Sequence, residues 1–149
     1  ILSNLVHMVL AFLLFLIPIL FLGTFSLVRL PHLLFGFFLL LIFTIGISLF
    51  TSALNVRYRD VNFFVQALLI IWFYASPIIY SLSVIPRHLL WLWRFNPMTS
   101  TLQLFQYALL GAPPPGPAML ASNIFAIVVI TYLGLIVFQR ESKNFDDWV

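Results

Sequence analysis

The sequence predicts an all-α integral membrane protein, because long charge-free stretches alternate with short charged segments. A hydrocarbon core about 30 Å thick needs about 20 apolar helical residues, and an ionised side chain at its centre costs on the order of 2.5 kcal/mol or more. Four stretches lack Asp, Glu, Lys and Arg: Ile1–Val28, Leu30–Val56, Val61–Pro86 and Phe95–Gln139. Since 63% of the residues are hydrophobic and 7% are charged, a water-soluble domain is excluded.

The remaining composition excludes several kinds of function. Seven basic and four acidic residues are scattered along 149 positions, so no nucleic-acid surface is indicated. There is no cysteine, and His7, His32 and His88 are far apart in sequence, so we expect no metal site. No span carries a paired acid and base, which argues against an intramembrane enzyme.

The first predicted span covers residues 5–28 and contains Pro18, where we expect a kink. Arg29, Pro31 and His32 form a short turn before a second span at residues 33–54, so the two helices should form an antiparallel hairpin. The chain begins at Ile1 with neither a basic region nor a cleavage site. We therefore expect an N-terminally truncated fragment and not a signal peptide.

A stripe of small polar residues runs along the second span. Its members recur at spacings of three and four, which places them on one helix face: Thr44, Ser48, Thr51, Ser52 and Asn55. Close packing against another helix is one interpretation, and lining of a polar path is the other.

Aromatic residues crowd the far end of the third predicted span, which covers residues 61–80. Trp and Tyr are enriched at membrane interfaces, so a plain interfacial belt is one explanation and contact with a ligand is the other. The candidates for a substrate path are Trp72, Phe73, Tyr74 and Tyr80.

Residues 81–117 form neither a clean span nor a soluble loop. The pattern predicts a short helix from Pro86 to Phe95 and a second from Thr99 to Leu110 that ends at Gly111. Both are too short to cross a bilayer, so we expect a re-entrant or interfacial pair. A proline-rich connector at residues 112–117 precedes the last span, 119–138, and a polar tail, 139–149.

The basic residues only weakly determine the orientation. One side collects four of them, Arg57, Arg59, Arg140 and Lys143, and the other collects three, Arg29, Arg87 and Arg94, so the first side is predicted to be cytoplasmic. The loop with Arg57, Arg59 and Asp60 has two interpretations. It is a topological anchor with a local ion pair, or it lies near an ATPase interface or a lipid-phosphate entrance, since Arg pairs well with phosphate.

Four short sequence motifs, in this order along the chain, resemble those of a known family: NVRYRDV at 55–61, WFYASPIIY at 72–80, NPMT at 96–99 and LLG at 109–111. The chain resembles an ABC-2 type permease over nearly its whole length. Within that family it is most similar to the polysaccharide and polyol-phosphate exporters, which move O-antigen, capsule or teichoic acid chains. One departure is Gln106, where similar exporters commonly carry a basic residue.

The resemblance implies a six-span half-transporter that forms a homodimer, of which this chain holds the last four spans. It implies a multi-pass protein of the bacterial cytoplasmic membrane, with residues 57–60 and the tail in the cytoplasm and 81–117 as an external gate. The gate candidates are Pro77, Trp91, Asn96 and Pro97.

The resemblance also implies a mechanism. No Walker A motif occurs in the chain, so two copies of a separate ABC ATPase subunit would use ATP and Mg²⁺, and this chain would bind no cofactor. The substrate would be a lipid-linked glycan that slides over aromatic side chains. Two alternatives stay open: an ABC-2 permease for drug or lipid efflux, and a non-transporting structural membrane subunit.

Overall fold

A computed structural model describes residues 2–21, 26–58, 60–78, 80 and 82–142. Throughout these ranges the only regular structure is helical, which confirms the all-α prediction. The α-helices of the described residues are α1 (Leu2–Phe21), α2 (Leu30–Arg57), α3 (Val61–Ala75), α4 (Leu90–Phe95), α5 (Met98–Leu110) and α6 (Pro117–Ser142). Single 3₁₀ turns cover Leu27–Arg29, Leu82–Val84 and Arg87–Leu89.

Two segments of the described chain are long and apolar enough to cross a membrane. They are Leu27–Val56, which includes most of α2, and Pro117–Ser142, which is α6. The apolar helices Ser3–Ile17 and Val61–Ala75 are shorter. With 15 residues, α3 is about 22 Å long, less than the thickness of a hydrocarbon core of about 30 Å. Two of the four predicted spans therefore meet the length criterion within single helices.

The third predicted span was expected to reach residue 80, but its helix ends at Ala75. Ser76 has extended backbone angles, φ −98° and ψ 143°. Pro77 explains this, because proline lacks an N–H and its ring disfavours helical angles at the residue before it. Tyr80 thus lies beyond the helix and not on its last turn.

The short pair before the last helix is present, with different bounds from those predicted. The first helix was expected from Pro86, whereas a 3₁₀ turn precedes α4, which begins at Leu90. Helix α5 ends where glycine allows it: Gly111 has φ 73°, and its N–H donates to the Tyr107 carbonyl at 3.2 Å. A left-handed residue after the last turn satisfies carbonyls that the helix leaves free.

Helix α2 is central to the structure, with α5 and α6 against it. Apolar side chains from all three helices form the larger buried cluster, namely Leu39, Phe43, Leu104 and Ile127. A second cluster lies near the start of α2 and the end of α5 and consists of Leu33, Ala108 and Leu109, with Phe12 of α1 packed against it. The core is therefore a three-helix contact centred on α2.

Two glycines allow α2 and α6 to approach closely. A Cβ atom on Gly134 would lie 2.3 Å from the carbonyl oxygen of Gly46, and one on Gly46 would lie 2.6 Å from the Cα of Thr131. Next to this crossing, Thr131 Oγ1 donates to the Ile42 carbonyl at 3.2 Å. Small residues at such crossings are typical of membrane helices, where backbone approach replaces the hydrophobic effect as the source of association.

Outside this core, large apolar side chains are widely exposed. Helix α3 has no buried residue in its whole length. Its Phe63 is 74% exposed and its Phe64 is 66% exposed, and Phe125 on α6 is 70% exposed. Patches of this size mark a surface that contacts lipid or further protein.

The glycine crossing leads to a first prediction. Gly134→Ala should destabilise the full-length protein by about 1–3 kcal/mol, because the added methyl group overpacks against the α2 backbone. The matched control is Gly116→Ala, since a Cβ there meets nothing within 4 Å. The measurement is the melting temperature of detergent-solubilised protein by fluorescence-detected size exclusion. Equal melting temperatures for both variants would contradict the close crossing.

Candidate functional site

The predicted site residues lie at two opposite ends of α3. Asp60 immediately precedes the helix, and Ser76 immediately follows it. The 15 helical residues between them span about 22 Å. The aromatic and gate candidates therefore form one group and the charged loop forms another.

Asn96, the residue that follows α4, joins the end of α3 to the start of α5 at the aromatic end. Its Oδ1 accepts hydrogen bonds from Trp72 Nε1 and from the Met98 backbone N–H, both at 3.1 Å. Its Nδ2 donates to the Ala75 carbonyl and to Ser76 Oγ, also at 3.1 Å. One amide side chain thus joins the end of α3 to the start of α5, where the first N–H groups of a helix lack intrahelical partners.

Trp72 is half-buried and fixed from two sides. Besides its bond to Asn96, its ring meets that of Phe43 edge to face, with centroids 5.5 Å apart at 66°. Phe43 belongs to α2 and is one of the buried core residues. Among the aromatic candidates, Trp72 therefore belongs to the packed interior of the described structure.

Tyr80 lies in a small polar aromatic contact. Its hydroxyl donates to the Tyr74 carbonyl at 3.1 Å and accepts from Trp93 Nε1 at 3.1 Å. The Tyr80 and Trp93 rings are nearly perpendicular, with centroids 6.4 Å apart. Tyr80 thereby joins the end of α3 to α4. Trp93 was not among the candidates predicted from the sequence, although it lies next to Arg94 in the chain.

Phe73 and Tyr74 are the exposed members of the aromatic group. Phe73 is 44% exposed and Tyr74 is 66% exposed. Their rings meet edge to face with centroids 5.5 Å apart. Both rings are therefore accessible to a molecule that lies beside α3.

The other gate candidates have different environments. Pro77 is fully buried, and its carbonyl accepts a hydrogen bond from Gln106 Nε2 at 3.3 Å. Pro97 precedes α5, and its carbonyl accepts from Thr101 Oγ1. Trp91 is 56% exposed on α4. Gln106, the departure from the family pattern, thus ties α5 to the segment after α3 through an amide.

The charged loop between α2 and α3 is only partly described. Arg57 is the last residue of α2, and Arg59 lies outside the described residues. Asp60 is exposed and makes no side-chain cap to α3. The ion pair expected in this loop stays a prediction.

The polar stripe on α2 contributes both to the helix itself and to a cavity. Thr44 Oγ1 donates to the Leu40 carbonyl and Thr51 Oγ1 to the Ile47 carbonyl, each at 2.8 Å. The later part of the stripe lines a cavity of about 230 Å³ together with polar residues of α1 and α3. The polar lining residues are Asn4, Ser48, Thr51, Ser52, Asn55 and Asn62.

Asn123 is a buried polar anchor that the sequence analysis missed. It is 0% exposed in α6. Its Nδ2 donates to the Arg94 carbonyl at the end of α4, and its Oδ1 accepts from the Ser100 N–H in the first turn of α5 at 2.7 Å. Ser122 Oγ also donates to the Arg94 carbonyl, at 2.9 Å. A lone Asn in an apolar span was the available signal, since such groups are costly in a membrane unless paired.

Arg29 fixes the other end of α5. Its Nη1 donates to the Tyr107 carbonyl at 3.5 Å, and its guanidinium carbon lies 5.3 Å from the Tyr107 ring centroid. A Cβ on Gly111 would lie 2.9 Å from Arg29 Nη1. A cation beside the last carbonyls of a helix is favourable, so the start of α2 stabilises the end of α5.

The described site residues are mainly aromatic rings and neutral amides. In the described ranges, no three His, Asp or Glu side chains come together as a metal site would require. The arrangement instead combines exposed rings on α3 with a helix pair held at both ends by neutral amides and one arginine.

Comparisons with known proteins point to one family. A family model described as ABC-2 type transporter matches residues 1–110. Two O-antigen export system permease proteins RfbA from Klebsiella pneumoniae are each 30% identical over 108 residues, which is 70% of this chain and 40% of theirs. A protein of that name from Myxococcus xanthus is 29% identical over 109 residues, or 70% of this chain and 41% of its own. The chain thus spans about 40% of the length of these relatives.

Replacing the buried anchor should loosen the helix pair. Asn123→Leu keeps the volume but leaves the Ser100 N–H without its partner and removes a donor to Arg94, at about 1–3 kcal/mol per unsatisfied group. The control is Ser122→Ala, because Asn123 still serves the Arg94 carbonyl in that variant. We expect a clearly larger fall in melting temperature for Asn123→Leu than for Ser122→Ala. The reverse order would rule out Asn123 as the anchor.

Proposed function

Since this chain belongs to the ABC-2 type transporter family of membrane components, we propose that it forms part of the permease subunit of an ATP-driven exporter. Its proposed substrate is a lipid-linked polysaccharide of the O-antigen, capsule or teichoic acid type. The observation that carries the proposal is the 30% identity over 70% of the chain to permease proteins named for O-antigen export.

The work of transport comes from another subunit in this proposal. No Walker A sequence occurs in these 149 residues, so two copies of an ABC ATPase bind ATP and Mg²⁺ and act on a homodimer of the permease. The complex lies in the bacterial cytoplasmic membrane, which the protein crosses several times. The loop at residues 57–60 is on the cytoplasmic side.

The substrate path runs beside α3. Sugars present apolar C–H faces, and aromatic side chains offer large surfaces that accept them without fixing one sugar at one position. Phe73 and Tyr74 are suited to this contact because their rings are exposed. Trp72 and Tyr80 complete the aromatic group, and hydrogen bonds hold each of them in place.

The external gate is the α4–α5 pair, with Trp91 on its exposed surface. Asn96 ties α5 to α3, while Asn123 ties both short helices to α6. These bonds hold the pair against longer helices on both sides. Movement of α3 or α6 during ATP-driven closure would therefore move the gate.

The path predicts a selective loss of export. The double change Phe73→Ala with Tyr74→Ala in the full-length permease should lower surface glycan to a minor fraction of the wild-type level. It removes two exposed rings and breaks no side-chain hydrogen bond to another described residue. Tyr132→Ala is the matched control, since Tyr132 is 63% exposed on α6. Surface glycan is measured by immunoblot, with permease abundance measured in the same membranes. Normal export from the double variant would refute the path.

Purification tests the partner. Full-length permease taken gently from its host membrane should carry an ATPase subunit at a ratio of one to one. Reproducible absence of an ATPase from intact dimeric permease would favour the structural subunit instead.

A further inference from the structure

Trp72 lines two neighbouring cavities. One, of about 340 Å³, lies between α2, α3 and α6 and has Phe50, Leu54 and Leu133 in its wall. The other, of about 410 Å³, lies where α3 meets α4, with Leu92 and Phe95 in its wall. Leu68, Trp72 and Ile130 line both.

The indole is the bulkiest of the three shared side chains. Leu68 lies one turn before Trp72 on α3, and Ile130 is on α6. The cavity walls are apolar except for Thr51 in the first and Asn96 in the second. Displacement of the Trp72 ring would therefore join the cavities into one apolar groove along α3.

Among the described residues, one hydrogen bond holds the polar edge of this ring. Trp72 Nε1 donates to Asn96 Oδ1 at 3.1 Å. The other bonds of Asn96 go to the Met98 N–H, the Ala75 carbonyl and Ser76 Oγ, so Asn96 stays in place through contacts that do not involve the indole. The Trp72 ring also meets Phe43 edge to face, so the hydrogen bond and this ring contact together hold it in the wall of both cavities. A fixed acceptor that holds a half-buried ring beside two cavities is the arrangement of a latch.

We propose that Asn96 is the positioning residue for Trp72 and that the latched ring closes the groove along α3. This inference rests on the proposed function, in which α3 borders the substrate path. Breaking the hydrogen bond between Trp72 and Asn96 lets the ring move and opens the groove. Re-forming that bond closes the groove again. Asn96 thereby couples the α3–α5 junction to the space beside the path.

Trp72→Phe separates the latch from the rest of the Asn96 network. It removes the indole N–H, keeps an aromatic ring, and leaves the bonds of Asn96 to Met98, Ala75 and Ser76. Trp72→Ala removes the ring from the wall that the two cavities share. Asn96→Leu removes every side-chain hydrogen bond of Asn96, including those that join the helix ends.

The test measures access to the shared wall. A single cysteine is placed as Ile130→Cys in full-length permease, in lipid nanodiscs, with any cysteine outside this cysteine-free chain replaced by serine. The probe is N-ethylmaleimide, and the readout is the modification rate by mass spectrometry. Val128→Cys is the control, because Val128 lies on α6 at 56% exposure and lines neither cavity.

Trp72→Phe should speed modification of Ile130→Cys by roughly three- to ten-fold, which follows from losing one net hydrogen bond in a two-state equilibrium. Trp72→Ala should speed it further, while Val128→Cys keeps its rate. An unchanged rate in Trp72→Phe, or an increase only with Asn96→Leu, would overturn the latch. A parallel increase at Val128→Cys would indicate general loosening and would also overturn it. The rates need no transport, so absent glycan export would reject the proposed function alone.

Discussion

The close crossing of α2 and α6 at Gly46 and Gly134 is the contact on which the rest of the described structure depends. It brings two backbones together with no side chain between them, and the core around Phe43 and Ile127 forms beside it. Apolar side chains alone do not hold helices together in lipid, since the acyl chains are equally apolar. Backbone approach, dispersion and a few hydrogen bonds must therefore define how these helices meet.

Among the described residues, most of the side-chain hydrogen bonds that join different helices lie at the ends of the short helices. Asn96 serves the start of α5 and the end of α3, Asn123 serves the start of α5 and the end of α4, and Arg29 serves the end of α5. Helix ends leave backbone groups unpaired, and membrane surroundings cannot pair them. At Asn96 and Asn123, neutral amides meet this need without the cost of a buried charge.

Helix α3 contrasts with that well-anchored pair. None of its residues is buried, cavities lie along it, and its hydrogen-bonded anchors are at its last turn and just beyond it, around Trp72, Ala75 and Ser76. A helix with few buried contacts has a low free-energy cost of displacement. In a transport protein, such a helix is the element best able to move while α2, α5 and α6 keep their arrangement. The exposed Phe73 and Tyr74 rings lie on this element.

The sequence by itself determined the all-α membrane class, the order of the helices, the end of α5 at Gly111 and the family. The signals for these are the lengths of charge-free stretches, a glycine after a helix and short motifs, and each depends only on residues that are neighbours in the chain. It overestimated α3 by extending it past Pro77. Only the tertiary structure decided that Trp72 is held by Asn96 and that Asn123 anchors the α4–α5 pair. Those bonds join residues more than 20 positions apart, and no local pattern fixes which distant amide satisfies which helix end.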